Sequence, residues 1–407
     1  MRRKRALVFL STPLTPVNGV LSLSERAHVL TLRLLSERCE DVAVVARVRD
    51  KAVLAGAEHV SLAATGARLA FQVPDFGTTS RPLFSAAALL FSPKRMAAMR
   101  ALAESADLLY AEVPSLEGLL VWRIARRLRK PYVIEMRGEG VLNPDYLRAR
   151  IGWSGVFASK IIAHAFELTR RRAVGAIFVG EELRRRYAPP NAVTAVVSSV
   201  RLPPASPRAP RRYSEPASAF LFVGHLEKIK AVHVILASLA QIATHLPPDW
   251  RLDVIGDGPE RAALDSQANE LGIGVHVHFH GRVPWGEQLF RFYEDADLLV
   301  MASLTEGNSR TLIEGMAFAL PAVSTAVGEA SRHLCADVLV SPGRTTPFAE
   351  TVLRLASTPE RLTAMSAHNA AQVAEYAPEV LSLRRARFLD TVLNSANLGR
   401  RMNVSDT

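Results

Sequence analysis

Glu306 and Glu314, with seven residues between them, are the side chains best placed in this chain to do chemistry on a polyhydroxy ligand. Leu298 to Ala302 has the length and composition of a buried parallel strand. Thr305 to Ser309 is a polar turn holding Gly307 and Asn308, and Thr311 to Leu320 repeats at helical spacing. Leu312, Ile313, Met316, Ala317 and Leu320 share one helix face, which puts Glu314 off the buried stripe and Glu306 in the loop at the strand's carboxyl end. Two carboxylates then border one crevice, and the helix amino terminus near Ser309 points its free N–H groups into it. A sugar nucleotide needs that combination: acceptors for its hydroxyls, donors for its phosphates. Two Glu at this spacing also occur on ordinary solvated surfaces, so the neighbouring residues decide.

A second group surrounds the strand Phe220 to Val223. Gly224 lets backbone approach a ligand closely, and Lys230 can reach a diphosphate as a point charge. His225 is either a further contact or a surface residue. Gly256-Asp257-Gly258-Pro259 is a turn between strand and helix, and Gly281-Arg282-Val283 is a loop that can border a base. In the first half, the Asn18-Gly19 turn is either a ligand loop or a simple flexible turn. Arg137 follows a strand and either meets a phosphate or acidic acceptor or forms an ion pair with Glu135 or Glu139. His276, His278 and His280 alternate as on one strand face, but with no acid or thiol paired to them a metal site is rejected. Asp295 and Asp297 are expected to close a helix and open a strand.

The Glu pair, followed by Gly-Met-Ala, Leu-Pro-Ala-Val and Val-Gly, resembles the retaining nucleotide-sugar glycosyltransferases of family four, which have the GT-B fold. The resemblance covers the second half well and the first half loosely. It implies an α/β protein of two Rossmann-like domains facing a cleft, the donor held chiefly by the second. It also implies that Lys230 neutralises the leaving diphosphate, Glu306 orients the sugar, and Glu314 accepts from ribose hydroxyls. Gly19, Gly224, His225, Gly256, Arg282, Gly307, Asn308 and Ser309 would line the donor, with no metal and no cofactor beyond a UDP- or GDP-linked sugar. The chain departs from the family pattern at His225 (for Arg), Ala231 (for Gly), Ser198 and Ser199 (for Asn-Gly) and Arg137 (for His). Those departures keep two alternatives open: a non-catalytic sugar-nucleotide or polyanion binder, and a nucleotide-sugar epimerase of the same fold.

The elements that must position these residues follow a β-α-β rhythm, which predicts parallel sheets with sites at the strand ends. In the first half, strands are expected at Ala6 to Leu10, Val42 to Ala46, Leu108 to Glu112, Tyr132 to Met136, Ala176 to Val179 and Ala195 to Val200. Ser11 to Ser24 is expected to be loop, and helices fall at Glu25 to Ser36, Leu116 to Arg129, Ser154 to Ala173 and Glu181 to Tyr187. Ser154 to Ala173 carries an apolar band beside cations, and reads either as an interfacial membrane helix or as a core helix with a charged end. Five prolines between Leu202 and Ser218 make residues 201–218 a linker between domains 1–200 and 219–377, and Pro378 to Leu393 is a helix able to return to the first domain.

At 407 residues and 49% hydrophobic, the chain is long enough for two cores, and two distant cysteines fit a reducing cytoplasm rather than a disulfide framework. The net charge of +11 is clustered at Arg2–Arg5, Arg123–Lys130, Arg170–Arg172, Arg184–Arg186 and Arg208–Arg212. Each cluster is either a solvated helix face or part of an anion-seeking surface. With no nucleic-acid module recognisable, an anionic membrane surface is the expected large partner, beside a glycan or lipid-linked acceptor. No apolar run approaches the length of a spanning helix, Phe84 to Phe91 included.

Overall fold

The computed structural model describes residues 4–10, 13–17, 20–23, 26–48, 60–73, 93–139, 142, 144, 147–148 and 152–395. The chain divides into two compact units, one of residues up to Ser199 together with those from Ser382 onward, the other Val200–Leu381.

In unit 1, apolar runs too short for helices and rich in β-branched residues form β1 (Lys4–Phe9), β4 (Cys39–Arg47), β6 (Arg68–Val73), β7 (Leu108–Val113), β8 (Tyr132–Met136), β9 (Gly175–Phe178) and β10 (Val193–Val196). They make one parallel sheet in the order β10-β9-β8-β7-β1-β4-β6. β7 and β8 are buried at every position, as strands covered on both faces must be. The helices are α1 (Arg26–Arg38), α2 (Pro93–Ser105), α3 (Leu116–Leu128), α4 (Trp153–Arg171) and α5 (Glu181–Tyr187). α3 opens on Ser115, whose hydroxyl accepts from Gly118 N at 2.9 Å.

The stretch expected as loop from Ser11 to Ser24 is instead a small antiparallel sheet: β2 (Thr15–Val17) and β3 (Val20–Leu23) pair with β5 (Val60–Ser61). Val17, Val20 and Leu21 supply the β-branched and apolar residues, and Pro16, which argued for loop, sits inside β2 opposite Leu21, on an edge strand of this sheet. Asn18, Gly19 and the Phe84–Phe91 run lie outside the described residues.

Unit 2 holds β11 (Ala219–Val223), β12 (Arg251–Ile255), β13 (Val277–Gly281), β14 (Leu298–Met301), β15 (Ala322–Thr325) and β16 (Leu339–Val340). They form a second parallel sheet, β13-β12-β11-β14-β15-β16. Its helices are α6 (Val232–Ile242), α7 (Arg261–Glu270), α8 (Glu287–Asp295), α9 (Arg310–Ala317), α10 (Ala330–His333), α11 (Thr345–Ala356) and α12 (Pro359–Gln372). α9 is shorter than its apolar repeat suggests, because Ala319 turns to φ 53° and Leu320 runs into Pro321 and β15. Asp297 does open a strand: its carboxylate accepts from Ser218 N and Ala219 N at 3.0 Å each.

The proline-rich segment 201–218 is not a free spacer but is laid onto unit 2. Arg211 donates to the carbonyls of Phe318 (3.0 Å), Ala296 (2.5 Å) and Tyr293 (2.6 Å), at the carboxyl ends of α8 and α9. Arg208 N and Ala217 N bond to Ala317 O and Ala356 O. The last helix, α13 (Pro378–Asn394), starts in unit 2 and is assigned to unit 1 from Ser382 on. Within unit 1, Arg38 pairs with its Asp390 at 2.7 Å, and a side chain on Gly175 would strike Phe388 and Val392 at 2.9 Å.

Candidate active site

Both sheets reverse strand order once, between β1 and β7 in unit 1 and between β11 and β14 in unit 2. In open α/β sheets the crevice at the carboxyl ends of such a pair is where ligands bind. In unit 2 that place is occupied by the loops after β11 and β14.

Lys230 ends a short 3-10 turn after β11, and its Nζ meets Glu306 Oε1 at 2.5 Å. Ser303 Oγ donates to the same oxygen at 2.9 Å. Leu304 N bonds to Ile229 O at 2.8 Å, so the backbones of the two loops are laced together as well. Both charged side chains stay partly open, 28% and 14% exposed, so the ammonium is held in place without being sealed from solvent. Thr325 Oγ1 donates to Ser303 O at 2.6 Å and Glu329 N to Gly307 O at 3.0 Å, which fixes the Glu306 loop from the β15 side. Gly328 is required there: at φ 54°, a Cβ would lie 2.2 Å from Gly307 O.

Ser309 caps α9, its hydroxyl accepting from Leu312 N at 3.3 Å, and Thr311 Oγ1 donates to Val223 O at 3.1 Å. The amino terminus of α9 is therefore tied to the end of β11, the strand whose following loop carries Lys230. Asn308 is half-buried on the same loop.

Glu314 departs from expectation. It does not stand clear of the buried stripe but is half-buried, and its Oε2 accepts from the Tyr293 hydroxyl on α8 at 3.0 Å. Burial pushes its carboxyl up to about 7, with the Tyr293 hydrogen bond and Arg310 pulling the other way. Glu306 and Glu314 thus keep separate partners, one a cation and one a phenol.

The glycine turns are brought together. A Cβ on Gly256, at φ 136°, would lie 1.8 Å from Gly224 O, and one on Gly258 would lie 2.4 Å from Leu226 O. Gly224 N bonds to Ile255 O and Gly256 N to Gly281 O, so three strand ends close into one glycine-lined floor. Arg282 follows it, exposed, and His225 is exposed with Glu227 3.6 Å away. Ala231, at φ 49° and fully buried, adopts the conformation for which glycine is usual. The three histidines do not share a face. His276 sits in a 3-10 turn stacked on Trp250, and His280 pairs with an acid after all, Asp253, at 2.7 Å.

In unit 1 the β1/β7 switch carries a charge network that sequence reasoning largely missed. His28 Nε2 lies 2.7 Å from Glu112 Oε1, and Arg137 Nε is 2.8 Å from the same oxygen and 3.6 Å from Glu135. Arg385 on α13 forks onto Glu135 at 3.0 and 3.1 Å and reaches Thr31 at 2.6 Å, and Tyr110 hydrogen-bonds Glu135. The ion-pair alternative for Arg137 thus acquires a partner, Glu112, that was not expected, while Glu139 is taken by Arg186 and Tyr187. His28 gave no signal, because a lone His on an apolar helix face is indistinguishable from a surface residue.

Residues 217–358, the stretch that carries Lys230, Glu306 and the glycine floor, match the family described as Glycosyl transferases group 1. This stretch, rather than the whole chain, carries the match. Among curated relatives, a D-inositol 3-phosphate glycosyltransferase of Thermobispora bispora is 33% identical over 199 residues, covering 44% of this chain and 46% of that protein. A Campylobacter jejuni N-acetyl-D-galactosaminyltransferase, named for a glycan acceptor on PP-undecaprenol, is 30% identical over 123 residues, covering 30% and 33%. The matched stretch thus spans less than half of either relative. Among solved structures, sucrose-phosphate synthase of Thermosynechococcus elongatus aligns at TM-score 0.69 with 17% identity, over 96% of this chain and 99% of that one. Anabaena HepE, solved with UDP-glucose, aligns at 0.65 with 16% identity, over 95% and 99%. The group 1 stretch therefore sits in a chain of GT-B fold, two Rossmann-like α/β units.

Proposed function

We propose that this protein is a retaining glycosyltransferase that moves a sugar from a UDP- or GDP-linked donor to a glycan or lipid-linked acceptor, in cell-surface polysaccharide or glycolipid synthesis, working peripherally at the inner face of a membrane. The observation that supports it most is the Lys230–Glu306–Ser303 cluster at the β11/β14 switch, with the capped amino terminus of α9 beside it. In this reading Lys230 and the α9 N–H groups receive the negative charge that develops on the diphosphate as the glycosidic bond breaks. A cation and a helix dipole supply the charge stabilisation, so the reaction needs no metal. Glu306, anchored by Ser303, holds Lys230 in register before the donor arrives and orients sugar hydroxyls. Glu314 accepts from the ribose hydroxyls, taking the place of its Tyr293 contact or adding to it. Gly224, Gly256, Arg282, Gly307, Asn308 and Ser309 line the donor, with His225 at its rim.

Arg137 is read here as a positioning residue, because its guanidinium is already neutralised by Glu112 and Glu135. The named acceptors of the two curated relatives, an inositol phosphate and a lipid pyrophosphate, support an acceptor of polar or anionic head. The test is a thermal-shift panel of UDP-, GDP- and ADP-sugars against the full chain and Lys230→Ala. One nucleotide sugar that raises Tm in the wild type and not in the variant supports the reading. Absence of any shift across the panel would sink it.

A further inference from the structure

We infer that α4 lies in the headgroup plane of an anionic membrane and is the surface by which this protein docks. The inference deepens the peripheral-membrane part of the proposed function and is independent of which donor the protein uses.

α4 runs Trp153–Arg171, about 28 Å at 1.5 Å per residue. Its buried side is narrow and is made by Gly155, Ser159, Phe166 and Thr169. The opposite side exposes Trp153 (74%), Phe157 (69%), Ile161 (56%) and Leu168 (38%). At 100° per residue these four fall within an arc of roughly 80°, so they form one stripe along the helix. No other helix among the described residues exposes more than one large apolar side chain. A core helix with a charged end, the other reading of this segment, would bury that stripe, and the structure does not.

Charge complementarity selects the partner. Lys160 and His164 are exposed inside or beside the stripe, Arg171 lies at its end, and Arg148 places its guanidinium 4.2 Å from the Trp153 ring. The one acid of the helix, Glu167, is engaged by Arg170 and Arg171 at 2.6 and 2.8 Å. Aromatic and aliphatic residues flanked by cations are the composition of a helix that rests at the acyl–headgroup boundary. Two other basic clusters are engaged within the fold: Arg184, Arg185 and Arg186 pair with Glu181, Glu182 and Glu139, and Arg211 binds carbonyls, whereas Arg123, Arg126, Arg127 and Arg129 are exposed on or just beyond α3, which shows no comparable apolar stripe. None of the described helices is long and apolar enough to cross a membrane, so attachment here is to a surface.

The experiment floats the full chain with phosphatidylcholine vesicles containing about one third phosphatidylglycerol, and with phosphatidylcholine alone, at low and high salt. The expected result is flotation with the anionic vesicles, weakened by salt, and a blue shift of Trp153 emission that Trp153→Phe removes. Phe157→Glu with Ile161→Glu should lower partition by about tenfold or more, and Lys160→Glu by less, all at unchanged Tm since these side chains are exposed. Equal partition of the double variant, or no partition of the wild type, overturns the inference. So does a wild-type dimer in solution that the double variant dissolves, which would make the stripe a protein interface. Donor thermal shifts on the same samples report separately on the proposed activity, so the two can fail independently.

Discussion

Glu314 titrates at about 7 in the fold and near 4.5 when the chain is open, because burial penalises its charge. The folded state therefore holds a proton that the unfolded state has lost. Stability from this group is full below about 4.5 and is lost as pH rises through about 7. Glu314→Gln should flatten that slope and gain up to about 3 kcal/mol on the wild type at pH 8, read from denaturant midpoints across roughly pH 5 to 8. Ribose hydroxyls donate to an ionised carboxylate, so donor affinity should rise over the same window in the wild type alone. Lys230→Ala should cost about 10²–10³ in kcat, the usual loss when one charge-stabilising donor is removed, with the melting temperature little changed. At this scale the sequence was legible where chemistry and position coincide: Glu306 lies in the loop after β14 and meets Lys230, and Ser309 caps the helix that follows. Tyr293 and Ser303 were not legible, because nothing in a periodic pattern tells which residue of a neighbouring element will face a given carboxylate.

Arg211 caps two helices at once, serving the carboxyl ends of α8 and α9 with one guanidinium. Arg211→Ala leaves three carbonyls and two helix dipoles without their cation, at an expected cost of about 2–4 kcal/mol in urea unfolding of unit 2. Gly256→Ala tests the glycine floor: with Gly224 O at 1.8 Å the loop must move, so donor thermal shifts should vanish even where the variant stays folded. Strands such as β8, β11 and β14 could be placed from composition within a residue or so, since they are short apolar runs closed by polar turns. The segment 201–218 shows the limit. Its prolines announced an irregular path correctly, yet irregular backbone has no period, and so no signal that one of its arginines holds helix ends.

For the whole molecule, the parallel architecture was readable from the β-α-β order, whereas the small β2-β3-β5 sheet was not, being assembled from strands of two to four residues, of which β5 is distant in sequence from the other two. The buried Arg385–Glu135 pair was equally invisible, because its partners are 250 residues apart. Burial alone would raise the Glu135 carboxyl, but Arg385 and Arg137 hold it well below the usual carboxylate range. Arg385→Met should destabilise unit 1 by about 3–5 kcal/mol, and adding Glu135→Gln should recover part of that, measured by urea unfolding. Cys39 is buried with its thiol pushed up to about 11, so alkylation at neutral pH should report unfolding of β4 rather than a reactive site.

Arg385, Asp390, Phe388 and Val392 all complete unit 1 from beyond the end of unit 2. During synthesis, then, the second unit is contiguous and can close as soon as it leaves the ribosome, while the first, though made earlier, waits with Glu135 lacking its Arg385 fork until α13 has emerged. The half of the protein that is translated first is the half that finishes last, so a chain cut short before Pro378 would present chaperones with a first unit that lacks its closing helix.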